Sequence, residues 1–159
     1  MDIHELAAGK LAALFDRNVS RDLFDAHNLL TQVNLDKTKL RLIFIVYIAM
    51  TPIEIISLTP DSIQYDIIDL KNRLLPALHQ AGIPRSLPTL KTWVNKLLLE
   101  LKDSITILLP LEKHEIEFIQ LIRRSGEIKP ELITDDLEIA KKIKTHPAIL
   151  WVMKKANDK

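Results

Sequence analysis

No cysteine occurs among the 159 residues, which excludes disulfides and thiolate metal sites and is compatible with a cytoplasmic location. Glycine is nearly as scarce, at three residues, and aromatics make up only 5% of the chain. Together with 47% apolar residues, this suits an all-α protein better than a sandwich or a glycine-rich phosphate-binding α/β fold. Charge of neither sign prevails. Lys and Arg number 22 against 21 Asp and Glu, a formal net charge of +1 that sets up no strong field and no basic face for nucleic acid. Long hydrophobic runs are also missing. Leu42 to Met50, the longest uncharged apolar stretch, is about half of the ~20 residues a membrane span needs, so it reads as a buried helix and no membrane partner is expected. The N-terminus lacks a cationic segment ahead of an apolar run, so no signal peptide is visible. One domain with a real core fits this length.

What is present is helical periodicity. A first helix is expected from Asp2, as N-cap with Glu5 reaching back, to about Arg17. A second spans about Arg21 to Gln32, and a third, central one about Asp36 to Met50. Thr51-Pro52-x-Glu54 signals the start of a short helix ending near Leu58. Another follows from about Ile63 to Ala81, divided or kinked at Pro76. Gly82 to Pro88 concentrates chain breakers and suits a hinge or exposed connection. Thr89 to about Ser104 carries a helical apolar stripe, and Ile105 to Leu109 reads as extended chain or helical continuation. Glu112 to Arg124 should stop at Gly126 as an αL C-cap. One turn over Pro130 to Ile133 and helices over Asp135 to Ile143 and Pro147 to Lys155 complete the chain. The expected fold is an all-α bundle of roughly seven to nine helices opening with an αα-hairpin.

The chemistry concentrates in Gly9 to Leu30. At 100° per residue Lys10 falls within the arc of Ile3, Leu6, Ala7 and Leu14, where an apolar side chain belongs. Asp22 falls among Ala26, Leu29 and Val33 on the next helix, with Asp25 on its other flank. Asn18-Val19-Ser20 is short enough to force a hairpin, with Ser20 suited to N-cap the second helix. Both charges then face one neighbourhood, a cleft with Lys10 near its floor and Asp22 and Asp25 in a first helical turn. No direct Lys10 to Asp22 bond is required. Read without further context, Lys10 is a snorkelling lysine, and Arg21 and Asp25, four apart, are a helix-surface ion pair.

The residues Glu5-Leu6-Ala7-x-x-Lys10-Leu11-x-Ala13-Leu14, followed by Arg21-Asp22-Leu23-Phe24-Asp25 and Leu29-Leu30, resemble the latter half of the AbiEii-type nucleotidyltransferase toxins of type IV toxin-antitoxin and abortive-infection systems. Leu111, Glu115, Gly126-Glu127-Ile128-x-Pro130-Glu131-Leu132 and His146-Pro147-Ala148-Ile149-Leu150-Trp151 follow in the family's order. The resemblance implies transfer of a nucleotide from an NTP to an RNA acceptor, with Mg²⁺ as cofactor of the complete enzyme. It matches Lys10 to the family's nucleotide-contacting lysine and Asp22 to an acidic catalytic residue. Arg21 and Asp25 match as substrate-positioning groups. Gly9 departs from the family, where a larger residue commonly precedes that lysine, and mid-helix glycine costs up to about 1 kcal/mol relative to alanine.

Polymerase-β-like transfer needs a Gly-Ser loop for the triphosphate and an Asp-x-Asp pair for the metal. Neither occurs in this sequence. The expectation is therefore a carboxy-terminal helical portion, truncated relative to the family and incomplete as an enzyme by itself. It would work with a separately encoded nucleotidyltransferase core or an antitoxin, and would bind neither cofactor nor metal alone. The alternative is a non-catalytic interaction module or a degenerate toxin remnant. Elsewhere the bland readings prevail. His4, His79, His114 and His146 lack metal-ligand spacing, and Glu115-x-Glu117 sets its carboxylates about 200° apart. Trp93 and Trp151 fall at core positions. The lysines of the last third, including Lys154 and Lys155, read as solvated helix faces. Met50 to Ile63 holds Pro52 and Pro60 and no basic residue, which argues against DNA binding.

Overall fold

In the computed structural model, which describes residues 2–78, 83–84 and 86–158, the chain is all-α, with no strand among the described residues. The elements are α1 (Ile3–Arg17), α2 (Ser20–Gln32) and α3 (Lys37–Ala49), then two 3₁₀ turns, Ile55–Ser57 and Pro60–Ser62. Next, α4 (Ile67–Asp69), a π-helical turn (Leu70–Leu74) and α5 (Leu75–Ala77) run on without a break. They are followed by α6 (Leu87–Ile105), α7 (Lys113–Ser125), a 3₁₀ turn at Pro130–Leu132, α8 (Leu137–Lys144) and α9 (Pro147–Asn157).

The expected hairpin is present. Asn18 ends α1 in the left-handed region (φ 50°), which asparagine tolerates, and α2 starts two residues later and packs along α1. The nearly all-apolar α3 lies at the centre, between α1 and α7, and α6 covers α2 while α9 covers α7. Phe44 and Phe118, both fully buried, fill the middle with Leu11, Leu14 and Leu40. Phe44 meets Phe15 with ring centroids 6.1 Å apart in a tilted pair, a geometry aromatic quadrupoles favour.

Several local expectations are overturned. Asp2 caps α1 by accepting from the His4 amide, but Glu5 does not complete a capping box; that motif forms at α7, between Glu112 and Glu115. Ser20 is the first residue of α2 and not its cap. It is fully buried, its amide donates to Asp69 Oδ2 at 3.0 Å and its hydroxyl to the Asp66 carbonyl at 3.3 Å. The helix expected after Thr51-Pro52 shrinks to one 3₁₀ turn, because the Arg123 guanidinium binds the carbonyls of Ile48 and Ile53 and holds the connection open. The Ile63 to Ala81 helix starts only after Asp66, which caps α4. It ends at Ala77, one residue beyond Pro76, which lacks the N–H that would bond back to the preceding turn. Leu78 is its C-cap, and residues 79–82, which hold the rest of the expected helix and Gly82, lie outside the described residues. Residues 106–108 form turns and no strand. Trp93 is half-buried against Phe24, whereas Trp151 is 63% exposed on α9 and does not pack in the core.

Gly126 does end α7, at φ 63°. A Cβ there would sit 2.9 Å from the Met153 carbonyl oxygen and 2.7 Å from Asn157 Oδ1, so α9 closes over this turn. Gly126→Ala combines left-handed strain with that clash and is expected to cost about 2 kcal/mol, read as a shift in urea midpoint. No change would mean that the turn relaxes away from α9.

Candidate functional site

The side chains of interest come from two helix faces. Lys10 and Arg17 lie two turns apart on α1, and Asp22 and Asp25 one turn apart on α2, so all four share one side of the hairpin. Lys10 Nζ donates to Asp25 Oδ2 at 2.7 Å, with both side chains about one-third exposed. Arg17 Nη2 donates to Asp22 Oδ2 at 2.9 Å, where Asp22 is 6% exposed and Arg17 58%. Asp22 thus points inward, as its place on the apolar stripe requires, and a cation reaching in from solvent compensates it. The two pairs form a short alternating strip across the α1–α2 seam.

Each residue singled out from sequence can be placed on this strip. Lys10 and Asp25 are in direct contact, and Asp22 contacts Arg17 instead of Lys10. The helix-surface pair between Arg21 and Asp25 does not form: Arg21 is exposed, without an ion pair among the described residues, because the hairpin crossing gives Asp25 to Lys10. Gly9 has a packing reason. A Cβ at this position would lie 3.2 Å from Cε1 of Tyr47, so the absence of a side chain lets α3 approach α1 beside Lys10.

Arg17 went unremarked in the sequence, although its position seven residues after Lys10 and five before Asp22 is the signal that places it. It also lines a cavity of about 430 Å³ at the closed end of the hairpin, with Asn18, Val19, Asp66, Asp69 and Arg73. Within this cavity Asp66 is committed to the amides of Ile68 and Asp69, and Asp69 to the Ser20 amide. Removing Arg17 leaves the buried Asp22 carboxylate without its cation. Arg17→Ala is therefore expected to lower stability by about 2 kcal/mol, and the double variant Arg17→Ala/Asp22→Leu by less, in denaturant titrations. Equal losses in both would show that the pair is not the cause.

Two further polar clusters were invisible in the sequence. Arg41 on α3 binds Glu115 on α7 through Nε to Oε1 at 2.7 Å and Nη2 to Oε2 at 2.8 Å. His27, 5% exposed on α2, meets Glu100 of α6 at 2.7 Å, and this hydrogen bond holds the Glu100 carboxyl below its ordinary range. Both join residues more than 70 positions apart, so no local pattern announces them.

No helix among the described residues is long and apolar enough to cross a membrane. No curated protein matches the chain, and no solved structure does. The model of one family, described as nucleotidyl transferase AbiEii toxin, type IV TA system, matches residues 1–96, from α1 into α6, and so includes the whole charged strip. Residues 111–151, where the resemblance is expected to continue, lie beyond the matched span. With more than half of its length covered, the chain belongs to the AbiEii nucleotidyl transferase toxin family of type IV toxin-antitoxin systems.

Proposed function

We propose that this helical domain supplies part of a nucleotide site, with Lys10 contacting the nucleotide, Asp22 acting as the acidic catalytic residue, and Arg21 and Asp25 positioning the substrate. The observation that carries the proposal is the pairing of Lys10 with Asp25 on the same strip as Asp22, within the span the family model covers. A lysine held by one half-exposed carboxylate is fixed in direction yet open to solvent on one side. An incoming phosphate can compete for its remaining donors. Arg17, which anchors Asp22, lines a cavity whose volume is in the range of small-ligand sites.

The residues present do not fit the Mg²⁺ that nucleotide transfer in this family implies. Among the described residues no three carboxylate or imidazole groups converge, and Asp22 and Asp25 are each taken by a cation. The sequence holds neither Gly-Ser nor Asp-x-Asp. The triphosphate and metal chemistry therefore falls to a nucleotidyltransferase core outside these 159 residues, with RNA as acceptor. An antitoxin is the other partner, proposed on the strength of the family description alone. Titrating each NTP with Mg²⁺ into this chain alone is expected to give no micromolar binding by calorimetry. A micromolar dissociation constant would overturn the division of labour.

A further inference from the structure

A second cavity, of about 350 Å³, opens on the opposite end of the sequence, between the turn after α3 and the outer face of α9. Met50 and Pro52 form one wall, Trp151, Val152 and Lys155 the other, and Arg123 of α7 reaches in from below. Two cations line it and no carboxylate does, among the described residues. Trp151 presents 63% of its surface to solvent, unusual for the costliest apolar side chain to leave wet, and Lys155 Nζ lies 5.3 Å from its ring centroid.

The floor of this groove is built rather than incidental. Arg123 Nη1 donates to the Ile53 carbonyl at 2.7 Å, and Nη2 to the Ile48 carbonyl and the Thr51 hydroxyl, so its position is fixed. Its Nε is buried with no hydrogen-bond partner among the described residues, and Glu54 acts on the guanidinium only through space. Burial pushes this arginine below its ordinary pKa, outweighing the opposing pull of the Glu54 charge. An apolar plate, a solvent-facing cation beside it and a fixed cation beneath are what a stacked base with an adjoining phosphate needs.

We propose that this groove binds one nucleotide unit of a single-stranded nucleic acid, the base stacking on Trp151 and the phosphate lying between Lys155 and Arg123. The volume is in the range of small-ligand sites, and the described lining, with two cations and no carboxylate, complements a phosphate. The proposal does not depend on the nucleotide site at the α1–α2 hairpin, because binding here requires neither NTP nor a catalytic core.

The test is fluorescence anisotropy of labelled octamers of U and of dT, and of a duplex of mixed sequence, titrated with the full chain at low salt. Saturable binding of either single strand is expected, and the stronger of the two identifies the sugar. Trp151→Ala should weaken it about tenfold and Trp151→Phe should restore most of the loss. Lys155→Ala should reduce the slope of log K against log salt by about 0.7, one phosphate contact. These are surface substitutions, so circular dichroism should stay unchanged. Binding of neither single strand, equal affinity for the duplex, displacement by a poly-glutamate peptide as readily as by unlabelled octamer, or wild-type affinity in Trp151→Ala would each overturn the proposal. Failure here would leave the Lys10 site untouched.

Discussion

Glu115→Ala is expected to lower stability by about 3 kcal/mol, which for a chain of this size corresponds to a melting temperature about 9 °C lower. The side chain is 5% exposed and its two oxygens serve three donors: Arg41 Nε, Arg41 Nη2 and the Glu112 amide, the last at 2.6 Å. Alanine would take the carboxylate from all three, leaving Nη2 only the Pro110 carbonyl as a hydrogen-bond acceptor. The Arg41 guanidinium, raised above its ordinary pKa chiefly by the hydrogen bond to Glu115, would keep only the carbonyls of Ile107 and Pro110 and the more distant Glu112 at 3.8 Å. The N-terminus of α7 would also lose its capping box and a carboxylate favourably placed on the helix dipole. Because Arg41 retains 22% exposure, water can recover part of the loss, which places the effect at the lower end for a broken buried pair. Glu115→Gln keeps one acceptor and should cost about half as much. A loss below about 1 kcal/mol for the alanine variant would mean that α3 and α7 are not joined through this pair.

The difference between that cluster and the rest of the fold explains how much was legible in advance. Helix positions followed from short-range rules wherever the controlling partner is a near neighbour. Asp36 caps α3, Gly126 ends α7, and His146 with Pro147 starts α9, each within four residues of the group it controls. The rules failed where a distant side chain took over the backbone. Arg123, about 70 residues away, binds the carbonyls that a helix after Thr51 would have used. Asp69 accepts from the Ser20 amide, so a distant carboxylate takes one free amide at the start of α2 and Ser20 itself is no cap. Glycine at position 9 looked like a defect in a helix until Tyr47 was found beside it.

The candidate site was legible to a similar depth. A charge on an apolar stripe is visible from periodicity, and Asp22 is buried as its stripe requires, while Lys10 is held at the hairpin seam. Which counter-ion each charge meets depends on how two helices cross. That crossing gives Asp25 to Lys10 and Arg17 to Asp22, leaving Arg21 in solvent. Trp151 erred in the opposite direction. Its spacing along α9 fits a core stripe, but α9 uses only Ile149 as a buried anchor, and the tryptophan faces outward.

The role of Lys10 carries the second large effect. Substituting it by alanine removes a half-exposed ion pair worth about 1 kcal/mol or less, so the fold should persist and any larger change must come from chemistry. A cation placed on a phosphate whose charge builds up during transfer is typically worth about 100-fold or more in rate, by comparison with the loss of a single fixed donor from other charge-stabilising sites. The decisive measurement is single-turnover transfer of a radiolabelled nucleotide to RNA, with Mg²⁺ present. It would be made on the chain joined with its nucleotidyltransferase core, comparing wild type, Lys10→Ala and Asp22→Asn at matched circular dichroism. Transfer reduced about 100-fold or more in both variants is the predicted result. Transfer at the wild-type rate in Lys10→Ala would remove the α1–α2 strip from the reaction.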